Sequence, residues 1–189
     1  MGRFILITFM FAILLNTPVF AQSSAIAPKP LSLDEIHLGG IKIGDVYNEQ
    51  LTIKNFGSII KKETEFGSNN KPIRNTITFD YGFVVLTSNN KIQNIGTNNP
   101  KLKLHRKISV GDSFFNLFKA YGSPEETTNL RNGDTGVMFK KEKGFRCRYS
   151  ARTKSNKGTI AIYFDLNNNG DVEEFFIESY GDAFPKSEE

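Results

Sequence analysis

The chain has 189 residues, of which 39% are hydrophobic, 12% aromatic and 23% charged, with a formal net charge of +4. That is the composition of a globular protein of one domain or two small ones, and it excludes a disordered, collagenous or coiled-coil chain. One cysteine excludes an intramolecular disulfide framework and any multi-cysteine metal site, and two histidines leave little for a His-rich centre.

Met1 to Ala21 reads as a cleavable export signal. Arg3 gives a positive start, Phe4 to Leu15 is nearly all apolar, and Pro18 breaks the run. Val19-Phe20-Ala21 then sets small residues at the −3 and −1 positions before Gln22. The apolar run is shorter than the roughly 20 residues that span a bilayer, so no transmembrane anchor is expected. No cysteine stands near the cleavage point to carry a lipid. Cleavage leaves a mature chain of 168 residues with net charge +3, because Arg3 is the only charge lost. Residues 22–35, with Pro28 and Pro30, read as a flexible lead-in.

Two similar halves follow, 36–100 and 101–182, with a frayed tail over 183–189. The first carries Ile43-Gly44-Asp45 and a stretch ending Asn55-Phe56-Gly57, and the second Val110-Gly111-Asp112 and a stretch ending Ala120-Tyr121-Gly122. The two Gly-Asp pairs are offset by 67 residues. In the first half, Asp45 to Phe56 is expected as a helix. Strands are expected over Thr76–Tyr81, Gly82–Thr87 and Ile92–Ile95, with a hairpin turn at Ser88-Asn89-Asn90. In the second half, Phe114, Leu117, Phe118 and Tyr121 fall on one helical face. Asp112 or Ser113 caps its start, Gly122 suits the residue after its end, and Pro124 stops it. Phe145, Cys147, Tyr149 and Ala151 then alternate with Arg146, Arg148, Ser150 and Arg152, which predicts a strand with an apolar and a basic face. Thr159–Asp165 and Val172–Ile177 complete the set. The expected fold is α+β: an antiparallel β-sheet with short helices on one face, built from two similar helix-plus-β-meander halves.

Val110-Gly111-Asp112-Ser113, Phe114, Leu117, Phe118, Tyr121-Gly122 and Pro124, echoed by Ile43-Gly44-Asp45 to Phe56-Gly57, carry a resemblance. The pattern resembles the tandem helix–hairpin modules of the β-lactamase-inhibitor-protein-like fold, shared by small SmpA/OmlA (BamE) outer-membrane lipoproteins. The resemblance covers most of Gly40 to Ser179 and implies an exported protein that binds other proteins. This chain lacks the lipid-bearing cysteine of the lipoproteins, and no residue matches an inhibitory contact.

Candidate chemistry is sparse. Asp165, Asn167 and Asn169 with Gly170 follow the start of a calcium loop, but position 12 is Phe176 where a bidentate carboxylate belongs. An Asn-rich hairpin turn is the favoured reading, and no cofactor is expected. Cys147 lies on the apolar strand face and reads as a core residue, not a nucleophile. His37 and His105 fall at near-equivalent places before the Gly-Asp pairs, and two ligands make a poor zinc site. No nucleophile elbow, Walker loop or dinucleotide-binding loop occurs, so no enzyme is expected.

The basic residues are the most usable feature. Lys101, Lys103, His105 and Lys107 alternate with Leu102, Leu104 and Arg106, which reads as a strand. Arg146, Arg148 and Arg152 share a strand face, and Lys140, Lys141 and Lys143 lie between the two groups. The binding-face candidates are Lys101, Lys103, Arg146, Arg148 and Arg152. The leading reading is a periplasmic or secreted protein that docks another envelope or secreted protein through its sheet face, as an inhibitor, immunity-type protein or assembly factor. The alternative partner is an anionic envelope lipid or glycan. Nucleic acid is not expected, since an export signal points away from it.

Overall fold

The computed structural model describes residues 27–130, 143–153 and 158–181. The expected signal, the tail, Lys140 and Lys141 lie outside the described residues. Among the described residues no helix is long and apolar enough to cross a membrane.

The fold is α+β and dominated by one antiparallel sheet. A small hairpin, β1 (His37–Leu38) and β2 (Ile41–Lys42), precedes α1 (Glu49–Phe56). Then come β3 (Ile59–Phe66), β4 (Pro72–Phe79), β5 (Phe83–Ser88) and β6 (Lys91–Thr97). The chain crosses to α2 (Phe114–Tyr121) and continues through β7 (Glu126–Leu130), β8 (Gly144–Arg152), β9 (Gly158–Asn167) and β10 (Val172–Gly181). The eight strands β3 to β10 form one sheet in the order β3-β4-β5-β6-β10-β9-β8-β7. Each helix therefore precedes a four-strand meander, and the meanders meet where β6 pairs with β10.

One sheet face carries the core. Ile77, Phe79, Phe83, Val85 and Ile95 point to it from β4, β5 and β6. Cys147, Tyr149, Ile162, Phe164, Phe175 and Ile177 do so from β8, β9 and β10. Both helices close this face. Phe56 of α1 stacks on Phe83, with ring centroids 3.7 Å apart. Tyr121 of α2 packs on Tyr149 and Phe164 at 5.1 and 5.4 Å. At roughly 25 cal/mol per Å², burying one such aromatic side chain stabilises by a few kcal/mol.

The Gly-Asp pairs dock alike. Gly44 N donates to Ile92 O and Ile92 N to Asp45 O; Gly111 N donates to Val172 O and Val172 N to Asp112 O. Each aspartate closes its own turn, accepting from Lys42 N in the first case and Ser109 N in the second. After each helix a glycine takes the same conformation, Gly57 at φ 86°, ψ −166° and Gly122 at φ 78°, ψ −158°. That region is closed to side chains. A Cβ at Gly122 would also collide with the carbonyl of Ala27.

Some elements depart from expectation. Helix α1 starts at Glu49 under an Asn48 cap, not at Asp45. Asp45 is held in its turn, and Val46 bridges to Lys91 as extended chain. Strands β3 and β7 were not predicted. They are the two sheet edges, largely exposed and polar, so neither shows the alternation that a two-sided strand does. The run Lys101–Lys107 is not a strand. Leu104 and Ile108 pair across a tight turn, with Lys107 at φ 65°.

Residues 27–35 of the expected lead-in are fastened to the body. Arg106 donates to both carboxylate oxygens of Glu35, at 2.9 and 3.1 Å. It also donates to Pro30 O at 2.6 Å and Ala120 O at 3.2 Å, and lies over the Tyr121 ring at 4.9 Å. The hydrogen bonds from Arg106 hold the Glu35 carboxyl down at about 2. A carboxylate depressed in the folded state adds stability that is complete above its unfolded pKa, near 4.5, and lost as pH falls towards 2. The stability gap between wild type and Glu35→Gln is therefore expected to be largest above about pH 5 and to close near pH 2. Urea midpoints across that range check it; a constant gap would show that the ion pair is not its source.

Candidate functional site

The sheet face opposite the helices carries the candidate site. One row crosses the sheet by its pairing register: Thr76, Leu86, Asn94, Glu178, Ala161 and Ser150. The next row toward the start of β10 carries Val84, Gly96, Phe176, Tyr163 and Arg148. Beyond it, Arg146 lies beside Asp165, which lies beside Glu174.

The three arginines of β8 occupy different environments. Arg146 donates from Nε and Nη2 to the two oxygens of Asp165 at 2.6 and 2.8 Å. Asp165 is wholly buried. The same guanidinium lies 4.9 Å from the centre of Phe176, which stacks on Tyr163 at 4.8 Å. Arg146 is a structural residue, and Asp165 keeps its guanidinium protonated against the burial. Arg148 is less committed. Its Nη1 lies 3.8 Å from carboxylate oxygens of both Glu125 and Glu126, too far for a hydrogen bond, and its Nε is buried with no acceptor among the described residues. The Glu125 carboxylate instead accepts from Ser150 N and Oγ, at 3.0 and 2.6 Å. Arg152 is exposed at the strand end.

Lys101 and Lys103 are not brought to this face. They are exposed on the connection between β6 and α2, whose Leu102 and Leu104 pack against the helix-covered core. The basic candidates thus divide between opposite sides of the sheet. Carboxylates also stand among the arginines, so the open face is of mixed charge.

A cleft of about 370 Å³ opens on the same face. Arg74, Leu86, Ser88, Gln93, Asn94, Glu178 and Ser179 line it. Asn94 is 2% exposed, and neither its Nδ2 nor its Oδ1 has a hydrogen-bond partner among the described residues. Leaving such a buried group unsatisfied costs about 1–3 kcal/mol. Tyr180 donates to Glu178 and accepts from Tyr163 at 3.0 Å, which fixes the Glu178 carboxylate against the aromatic patch. The cleft was missed from the sequence. Its one visible signal is an asparagine inside the strand-like stretch Ile92–Ile95, an unfavourable residue for a strand interior.

The other candidates are accounted for. Asn167 Oδ1 accepts from Asn169 N and Asp171 N and so closes the β9–β10 turn, while Asp165 is taken by Arg146. Asp165 and Asn167 are therefore both engaged within the fold. Cys147 is fully buried in the core, and burial pushes its thiol up to about 11. His37 and His105 do approach, with rings edge to face at 6.1 Å. Among the described residues no three potential metal ligands gather.

No protein-family model matches the chain, and no curated protein matches it. Two solved structures are similar in part. An extracellular protein containing an SCP domain from Bacillus anthracis str. Ames has a TM-score of 0.42 and 6% identity. That match covers 72% of this chain and 43% of the other, so this chain spans less than half of that protein's length. The uncharacterized protein yfeY from Escherichia coli has a TM-score of 0.42 and 10% identity over 76% of this chain and 97% of its own. Neither likeness carries a conclusion about function.

The different roles of the arginines predict different costs. Arg146→Ala strands a buried carboxylate and is expected to destabilise by about 3–5 kcal/mol. Arg152→Ala, at an exposed position, should stay within about 0.5 kcal/mol. Urea denaturation of both variants checks this, and equal losses would refute the assignment.

Proposed function

We propose that the chain is an exported binding protein that docks another envelope or secreted protein through the open face of its sheet. Within that class it acts as an inhibitor, an immunity-type protein or an assembly factor, and not as a catalyst. The observation that carries the reading is Arg148. It stands on the open face beside the Tyr163–Phe176 stack, and its guanidinium donates no hydrogen bond to the described residues. Arginine beside aromatic rings is the composition of interface hot spots, and a planar fork seeks a partner carboxylate. Export and a periplasmic or secreted location rest on the signal pattern of Met1 to Ala21.

The matched docking of the two Gly-Asp pairs, the matched glycines after the helices and the mirrored strand order support an internal duplication. The same features favour the resemblance to tandem helix–hairpin binding modules. The alternative, an anionic lipid or glycan held by Lys101, Lys103, Arg146, Arg148 and Arg152, is less favoured. Those residues lie on two sides of the sheet, and Arg146 is already neutralised by Asp165. A polyanion needs a cationic field on one surface.

Capture from an envelope extract tests the reading. The tagged mature chain is expected to retain a defined protein, and Arg148→Glu to reduce that retention at least about tenfold, a cost typical of a hot-spot charge. Arg148→Gln, which sets no new carboxylate beside Glu125 and Glu126, should also reduce retention with thermal stability little changed. Retention of no specific protein, together with salt-sensitive binding to vesicles rich in anionic lipid, would overturn it.

A further inference from the structure

We propose that the cleft between β4 and β10 is a peptide-binding subsite that reads a main-chain amide on Asn94, with an acidic group towards Arg74 and a cationic group towards Glu178. It rests on the reading of the open face as a docking surface and names the chemistry that face selects.

Asn94 carries the argument. It lies at the seam of the two meanders, paired across to Leu86 on one side and Glu178 on the other. Its carboxamide is buried, and neither its donor group nor its acceptor has a partner among the described residues. An unsatisfied polar group in a sheet needs a reason, and valine or threonine would serve a strand interior better. The complement of a free carboxamide is a group with an acceptor and a donor side by side. A peptide amide is such a group.

The walls add polarity. Arg74 is loosely held by Glu65, at 3.7 Å and half exposed, so its guanidinium is available to a carboxylate. Glu178 is oriented by Tyr180. The strands bearing Arg74 and Glu178 are three intervals apart, about 14 Å at the usual strand spacing of ~4.8 Å. A tripeptide with a long charged side chain at each end spans that distance. The cleft volume of about 370 Å³ falls in the range of roughly 300–1,000 Å³ typical of small-ligand sites. A free peptide and an inserted loop of a partner share this chemistry.

The test uses the mature chain labelled with nitrogen-15 and the tripeptide Lys-Ala-Glu as probe. Saturable shifts of the Asn94 side-chain amide signals are expected, weakened when both peptide ends and side chains are uncharged. Asn94→Val should weaken binding at least about tenfold, the loss of a paired hydrogen bond. It should leave the melting temperature unchanged or raised, which separates recognition from a structural role. A fall in melting temperature with binding unaltered would overturn the proposal. So would shifts produced by N-acetylglucosamine and not by the peptide, or no shift with either. Capture from envelope extract on wild type and Asn94→Val separates the sources: loss of capture points to a partner loop, and retained capture with lost peptide binding to a free peptide. If wild type captures a partner but binds no tripeptide, the docking reading stands and the subsite falls.

Discussion

The pairing of β6 with β10 is the constraint on which the rest of the structure depends. Thr97, Gly96, Ile95 and Asn94 face Phe175, Phe176, Ile177 and Glu178 in antiparallel register. Without that seam each helix would cover only a four-strand meander, and each meander would expose one more edge. With it, the apolar sides of Ile95, Phe175 and Ile177 join two small cores into one. A larger continuous core buries a greater fraction of its chain. Register matters here because a slip of one residue would exchange Ile95 and Ile177 for Asn94 and Glu178 on the core side.

The same seam creates the open face of the sheet. An eight-strand sheet with helices on one side leaves the other as a single face, and the joint puts Asn94 and Glu178 near its middle. Around them the face is divided between committed and available groups. Arg146 is fixed to a buried Asp165 and lies against Phe176, so it holds the aromatic patch in place. Arg148 and Arg74 retain donors for another molecule. Positive charge on this surface is therefore distributed among carboxylates, which suits recognition of a patterned partner better than attraction to a uniform polyanion.

Cation chemistry on the helix side serves a different purpose. Arg106 falls in the sequence with Leu102 and Leu104, opposite the basic set of that alternation, yet it is the group that ties the segment around Pro30 and Glu35 to the end of α2. Its partners are 71 and 76 residues away in sequence. No local pattern signals such a contact. The strand reading of Lys101–Lys107 failed for a related reason. Apolar and basic residues alternate there because Leu102, Leu104 and Ile108 reach into the core from a connection, and a connection can alternate without pairing.

What the sequence by itself determined is local. The cap at Ser113, the helical face of Leu117 and Tyr121, the glycine after each helix, and the alternation that buries Cys147 and Tyr149 follow from the periods of 3.6 and 2 and from backbone sterics. The edge strands β3 and β7 escaped because an exposed strand with one neighbour has no reason to alternate. Tertiary structure alone decided that the meanders join through β6 and β10, that Lys101 and Lys103 part from the arginines, that Asp165 neutralises Arg146, and that Asn94 is buried without a partner among the described residues. Each of these joins residues distant in the chain, and such contacts are set by how whole faces pack.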